Sequence, residues 1–360
     1  MSAEVLGAGP MEAIDLQTAK RRAQIFRLAF GMTFSAGIAF ALAWPLSYIT
    51  PLVAAKLLTL PKALSLKAGL VLVVLTGGSL FLSARVLLPT LAYPAVHLLL
   101  TALILFLLFY AKAGGTNPVL VVLLLLGTLA VPLIGTVSED LAREVTKGLV
   151  FDIAVAVAMV FVATVAFPDP HVPPPGATSR QGASAEQAEP DAVPAARVRV
   201  ALALRSLVVI YPLAVVFQLF SLVSFAVVLI MASLLSMEPT FGKHLGAGKG
   251  LVLANLAGGL VAVVIYQLLV MVPSFTFFLL LVLLAGLWVG GWIFSERLLG
   301  KLLGGGITAV FIILGPAVTG DAQAGAQLFV RLAMIMGAVI YVVLAFGLLE
   351  RLTRGRRRVA

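Results

Sequence analysis

Lys56-Leu57-Leu58-Thr59-Leu60, closed by Pro61, returns later in the chain as Ser233-Leu234-Leu235-Ser236-Met237, closed by Glu238-Pro239. Outward from this pair the correspondence continues. Arg27, which opens the first apolar stretch, matches Arg205; Gly77-Gly78 matches Gly258-Gly259, and Pro94 matches Pro273. Near the end of each copy one charged residue interrupts an apolar run, Phe151-Asp152-Ile153 in the first and Val330-Arg331-Leu332 in the second. The chain therefore carries one hydrophobic pattern twice, offset by about 180 residues, with opposite charges at one equivalent place.

Composition sets the solvent in which that pattern folds. With 61% hydrophobic residues, 11% charged residues and a mean hydropathy of +1.13, the chain reads as a polytopic membrane protein. A helix needs roughly 20 apolar residues to cross the hydrocarbon core, and lipid forces every backbone amide to be satisfied within its own segment. The fold class expected is all-α, with about 12 transmembrane helices. They fall near 24–44, 46–60, 68–84, 91–111, 117–135 and 148–167, then 204–221, 222–237, 250–271, 274–294, 302–319 and 326–349. The alternating pattern of a membrane barrel is absent from the sequence.

Orientation follows from Lys and Arg, which concentrate in cytoplasmic loops. Lys20, Arg21 and Arg22 precede the first span. Lys62 and Lys67, Lys112, Arg197 and Arg199, Lys243 and Lys249, Arg297 and Lys301, and the cluster from Arg354 to Arg358 fall on the same side. The opposite side is sparse: its richest loop, from Ser138 to Lys147, mixes both signs, and the loop at Asp321 is acidic. Both termini are expected to be cytoplasmic. The net charge of +10 is thus a topology signal with anionic lipid of the bilayer as counter-charge, and no nucleic acid is expected as a partner. Residues 1–23 form a cytoplasmic N-terminal segment with Glu4, Glu12 and Asp15 where a cleavable signal would be basic and then apolar. With no Cys in the chain, disulfides and thiolate chemistry are excluded.

Pro168, Pro170 and Pro173 to Pro175, followed by Ala, Ser, Gln and Glu, make 168–198 a flexible cytoplasmic linker. It joins a first six-helix repeat, 24–167, to a second, 199–350, and 351–360 is a basic cytoplasmic tail. Six spans return the chain to its starting side, so the repeats are expected to be parallel, related by a pseudo-twofold along the membrane normal.

The second span of each repeat is short, and in the first it is also interrupted by Pro51 and bounded by Pro45 and Pro61. Short or Pro-broken segments at corresponding positions of two repeats point to a transporter's binding region. Lys56 lies there, with Ser233 as its counterpart. Lys56 either snorkels to lipid phosphates or attracts an anionic substrate. Asp152 and Arg331 lie about five residues, roughly 7–8 Å, inside their spans from the outer ends. Three readings stand for them: a static ion pair, a working pair in which Asp152 carries a coupling proton and Arg331 holds an anion, or unrelated residues at separate interfaces. Gln218, Asn255, Tyr266, Gln267 and His97 are further polar groups in apolar runs, read chiefly as interhelical hydrogen-bond partners, with Gln218, Asn255 and Gln267 also candidates for substrate contact. Gly77-Gly78, Gly127, Gly258-Gly259 and Gly304 to Gly306 would let helices approach closely.

Several motifs fail. Gly248-Lys249 is followed by Gly250 where a phosphate loop needs Ser or Thr, and His97, His171 and His244 are too scattered for a zinc helix. No GxSxG elbow is present. An enzyme, a cofactor and a metal site are not expected.

Trp44-Pro45, Thr50-Pro51, Leu52 to Pro61, the Lys67-Ala68-Gly69-Leu70 start and Gly77-Gly78 resemble the opening of bacterial fusaric-acid-resistance and aromatic acid exporter proteins. Glu238-Pro239, Phe241-Gly242, Gly248-Lys249-Gly250 and Gly258-Gly259 repeat that resemblance. Where those proteins carry Arg before the Gly-rich helix, this chain has Lys67 and Lys249. It is similar to the compact, FUSC-like branch that lacks large cytoplasmic domains. The resemblance implies proton-driven export of weak organic, often aromatic, carboxylic acids across the bacterial inner membrane, with a periplasmic adaptor of the HlyD type as partner. Asp152 is then the proton-coupling candidate, and Arg331 and Lys56 the substrate contacts. Two rival readings are an organic-anion channel and a non-transporting membrane subunit of an envelope complex. A homodimer and a single chain of twelve spans are both compatible with the pattern.

Overall fold

A computed structural model describes residues 10–44, 46–60, 64–116, 118–168, 195–237, 241–295, 297–318 and 324–359. Among these residues every regular element is helical. The order is α1 (Pro10–Leu42), α2 (Ile49–Leu58), α3 (Leu66–Thr90), α4 (Pro94–Ala113), α5 (Pro118–Gly135) and α6 (Glu139–Ala166). Then follow α7 (Ala196–Leu219), a 3-10 turn at Val223–Phe225, α8 (Ala226–Ser236), α9 (Phe241–Met271), α10 (Phe275–Ile293), α11 (Leu298–Val318) and α12 (Ala324–Val359). Among the described residues nine helices are long and apolar enough to cross a membrane, and α2 is a shorter apolar helix. This is a multi-pass, membrane-embedded helical protein. Nearly all of the expected linker, together with Pro45, Pro61, Lys62, Glu238-Pro239 and Asp321, lies outside the described residues.

Among the described residues twelve α-helices fall in the stretches where spans are expected, nine of them long and apolar enough to cross a membrane, and several are longer than their apolar cores. α6 begins at Glu139, α7 at Ala196 and α9 at Phe241, each several residues before the hydropathy boundary. The charged turns are helical because helix formation needs only backbone hydrogen bonds, whereas hydropathy registers lipid. Glu139 and Asp140 in the first turn of α6 favour the helix start electrostatically. The Gly242 to Gly250 stretch is likewise helical, within α9. Pro51 falls in the first turn of α2, where a missing N–H costs no hydrogen bond, so it starts that helix; the reading that it interrupts a span is corrected. With ten residues, α2 is only ~15 Å long, shorter still than expected.

The chain divides into two compact units. The first comprises 1–66, 153–187 and 257–324. In it α1 packs along α10 and α2, α2 along α11, and α10 along α11. Leu28, Met32, Ala36 and Ala39 form the buried stripe of α1, and Phe40 meets Phe278 edge-on at 5.2 Å. The spacing of three and four residues puts that stripe on one helical face. The second unit comprises 67–152, 188–256 and 325–360. In it α4 packs along α7 and α5, α7 along α8, and α5 along α8. Leu105, Leu129, Ile210, Leu229 and Ala338 are fully buried in its core. Tyr341 donates to the Val209 carbonyl at 2.7 Å, and Ser206 to the Ser236 carbonyl at 2.8 Å. Each unit draws helices from both halves of the sequence.

α1 and α7 are each followed within two residues by a left-handed residue that is not glycine: Ala43 at φ 47° and Ser221 at φ 50°. Both side chains are exposed, so neither contributes packing. A non-glycine residue in this region costs about 1–3 kcal/mol, and glycine adopts it freely. Ala43→Gly and Ser221→Gly are each expected to stabilise the protein by about 1 kcal/mol after the larger unfolded-state entropy of glycine is deducted. Reversible denaturation in mixed micelles measures this; a loss of stability in both variants would contradict it.

Candidate functional site

α12 shows why Arg331 is turned inward. Ala324, Leu328, Arg331, Ile335, Ala338, Val342 and Phe346 are all buried, at spacings of three and four residues. Phe329, Met336, Ile340 and Leu344 on the opposite face are exposed. Arg331 thus occupies a core position of the helix and is only 6% exposed. It is seven residues from Ala324, about 10 Å along the axis. An ionisable side chain at such depth faces the protein interior or a water-filled cavity.

Its polar partner is Asn255 on α9, whose Oδ1 accepts from Arg331 Nε at 3.0 Å. The Asn255 amide is oriented by its other end, since Nδ2 donates to the Leu251 carbonyl at 2.9 Å. With the amide nitrogen tied to its own helix, Oδ1 is presented to the guanidinium. Arg331 is therefore held by a neutral oxygen in a buried position.

Asp152 is fully buried on α6, a helix on which Thr146, Ile153, Ala156 and Val157 are buried as well. It stands thirteen residues from the helix start at Glu139, farther than the roughly five that the apolar boundary implied, because the charged turns before it are helical. Three ion pairs lie in those exposed turns: Arg143 with Glu139 at 2.9 Å and with Asp140 at 3.6 Å, and Lys147 with Glu144 at 3.1 Å. None of them joins Asp152 to Arg331; Asp152 has an interaction of its own.

The other candidates separate by unit. Lys56 and Gln267 belong to the first, Ser233 and Gln218 to the second. Lys56, in the last turn of α2, is exposed, and its Nζ reaches the Gly304 carbonyl of α11 at 3.4 Å. Gln267 is exposed on α9. Ser233 is buried, with its hydroxyl donating to the Leu229 carbonyl at 2.7 Å, so that proton is committed to its own helix. Gln218 is buried and places Oε1 3.2 Å from His97 Nε2. Thr90 Oγ1 lies 2.9 Å from His97 Nδ1, and Thr101 Oγ1 3.4 Å from Nε2. Two interhelical polar contacts thus arise from residues that stand out in the sequence, Arg331 with Asn255 and His97 with Gln218. Thr90 and Thr101 carry no comparable signal, because a Thr in an apolar helix ordinarily bonds back to its own backbone.

No curated protein and no solved structure matches the chain. Over residues 24–163 the chain is similar to a family described as "Protein of unknown function (DUF2955)".

Proposed function

We propose that this chain is a secondary transporter of the bacterial inner membrane that exports small organic, aromatic carboxylic acids in exchange for protons. In this reading Arg331 holds the carboxylate, Asn255 orients Arg331, and Asp152 carries the coupling proton. Lys56, at the end of the short helix α2, attracts the anion before it enters. The observation that carries the reading is the buried guanidinium on a membrane-spanning helix with a neutral partner. A charge left uncompensated in low dielectric is costly, and it is retained where an anion binds.

The architecture proposed with it is two six-helix repeats. The helix pairings support this, for exchanging each helix with the one six places along converts one unit's packing into the other's. The pairs α1 with α10, α1 with α2, α2 with α11 and α10 with α11 become α7 with α4, α7 with α8, α8 with α5 and α4 with α5. The left-handed residues agree in register: Ser221 minus Ala43 is 178, as is Arg205 minus Arg27. Pro132 within α5 and Pro316 within α11 occupy corresponding helices. The family match also spans one copy, 24–163.

Flux of labelled aromatic and aliphatic carboxylates in proteoliposomes, with and without an imposed pH gradient, tests the function. Gradient-dependent flux that Asp152→Asn abolishes is the result expected. Flux indifferent to the gradient and to Asp152→Asn would make the protein an organic-anion channel. Absence of flux, with and without a periplasmic adaptor, would make it a non-transporting subunit.

A further inference from the structure

We propose that His97 is a proton-binding site whose two protonation states are matched to two orientations of the Gln218 amide. Thr90 is the last residue of α3, His97 lies in the first turn of α4 one turn before Thr101, and Gln218 is in the last turn of α7. His97 is 3% exposed, Gln218 7% and Thr101 1%. An imidazole sealed this completely must have each ring nitrogen accounted for.

The protons can be counted. Thr90 has a single hydroxyl hydrogen, and its oxygen lies 2.7 Å from the Leu87 carbonyl, the shorter of its two contacts. With that hydrogen on the carbonyl, the Thr90 oxygen accepts from His97 Nδ1, which then carries a hydrogen. On the other side Gln218 Oε1, an acceptor, faces Nε2. If both contacts are hydrogen bonds, both ring nitrogens are donors, and the ring is an imidazolium. In this arrangement Gln218 Nε2 is buried with no hydrogen-bond partner.

That orphan nitrogen makes the second state accessible. Nothing at Nε2 pins the amide, so His97 alone decides which end faces the ring. When the ring loses its Nε2 proton, that nitrogen becomes an acceptor, and the Gln218 amide is satisfied only by turning over to donate through its own nitrogen. The two networks differ by one proton and one half-turn of a terminal amide, a torsion that is broad and two-fold. The Thr90 contact is the same in both and fixes the Nδ1–H tautomer of the neutral form.

The surrounding charges leave this network to set the balance. α4, α5, α7, α8 and α3 contain no carboxylate. Arg85 of α3 and Tyr93 before α4 are exposed, and Tyr211 of α7 donates to the Leu98 carbonyl at 3.2 Å. Glu139, Asp140 and Glu144, at the start of α6, form exposed ion pairs with Arg143 and Lys147. Lys112, Arg197, Arg199, Arg205 and Tyr110 lie toward the other ends of α4 and α7. In the proposed topology His97 is near the periplasmic ends of its helices, where protons enter; that role in coupling rests on the exporter reading, whereas the proton site itself does not.

The chain has three His, so nitrogen-15 spectra of histidine-labelled full-length protein in lipid nanodiscs are simple, and His97→Gln identifies the signal by its loss. We expect the neutral His97 to be the Nδ1–H tautomer and to titrate to the imidazolium between about pH 4 and pH 9. In glutamine-labelled protein the Gln218 side-chain amide should shift with the same midpoint. Gln218→Leu should weaken proton binding by roughly tenfold, since the imidazolium loses its acceptor. A neutral ring carrying its proton on Nε2, a ring that does not titrate over that range, or a Gln218 amide indifferent to the titration would each overturn the proposal. Titration without carboxylate flux in proteoliposomes would refute the exporter and leave the site standing; flux without titration would do the reverse.

Discussion

Under the proposed exporter function, Arg331→Met is expected to weaken carboxylate export severely while leaving the fold at least as stable as wild type. An Arg at the centre of a membrane helix costs about 2.5–3.5 kcal/mol on insertion scales, an upper bound for Arg331, which offsets part of its cost by a bond from one of its donors to a neutral oxygen. An apolar side chain of similar volume in the Leu328, Ile335 and Ala338 stripe removes that cost, and such exchanges are commonly neutral or stabilising. A charge-assisted bond to a carboxylate disappears with it, so apparent affinity should fall about thirtyfold or more, which is ~2 kcal/mol. Arg331→Lys keeps the charge without the planar fork and should fall in between. Asn255→Ala keeps the guanidinium and loses only its orientation, a deficit of ~1 kcal/mol or about fivefold. Flux per folded molecule and denaturation midpoints, measured on the same variants, separate the roles. If Arg331→Met unfolds the protein while its folded fraction transports normally, the guanidinium is a structural tie.

The same residues show what a sequence of this kind discloses. Apolar runs mark where helices must be, because lipid leaves the backbone no other way to satisfy its amides. They say nothing about the charged turns beyond the hydrocarbon, so Glu139 to Lys147 and Phe241 to Lys249 are helical without an apolar signal. Arg331, Asn255, His97 and Gln218 stand out singly as polar residues in apolar runs. Their pairing depends on which helices pack together, for Arg331 and Asn255 are 76 residues apart and His97 and Gln218 are 121 apart. Thr101 was hidden by company: Thr33, Thr76, Thr128, Thr146 and Thr164 all donate to a carbonyl four residues back. One turn after His97 on the same helix face is the only mark that distinguishes it.

The paired glycines provide the second large effect, and they divide sharply. A Cβ at Gly258 would overlap the Gly306 carbonyl oxygen of α11 and stand 2.7 Å from its carbon, both backbone atoms of a packed helix. At Gly77, which the repeat makes the counterpart of Gly258, the nearest obstacle is a Val150 side-chain methyl at 3.3 Å; at Gly78 nothing lies within 4 Å. A side chain can turn aside, whereas a helix backbone can yield only by moving as a body and losing contact along its length. Gly258→Ala should therefore destabilise the protein by about 1–3 kcal/mol, the range for overpacking, and Gly258→Leu should prevent a folded product. Gly78→Ala should be neutral or stabilising by up to about 1 kcal/mol, since alanine favours the helix where space is open. Gly77→Ala should lie between the two. Denaturation midpoints of the three alanine variants test this ordering. A Gly258→Ala protein as stable as Gly78→Ala would mean that α9 and α11 do not meet at these glycines, and with that the reason for a glycine at position 258 would be gone.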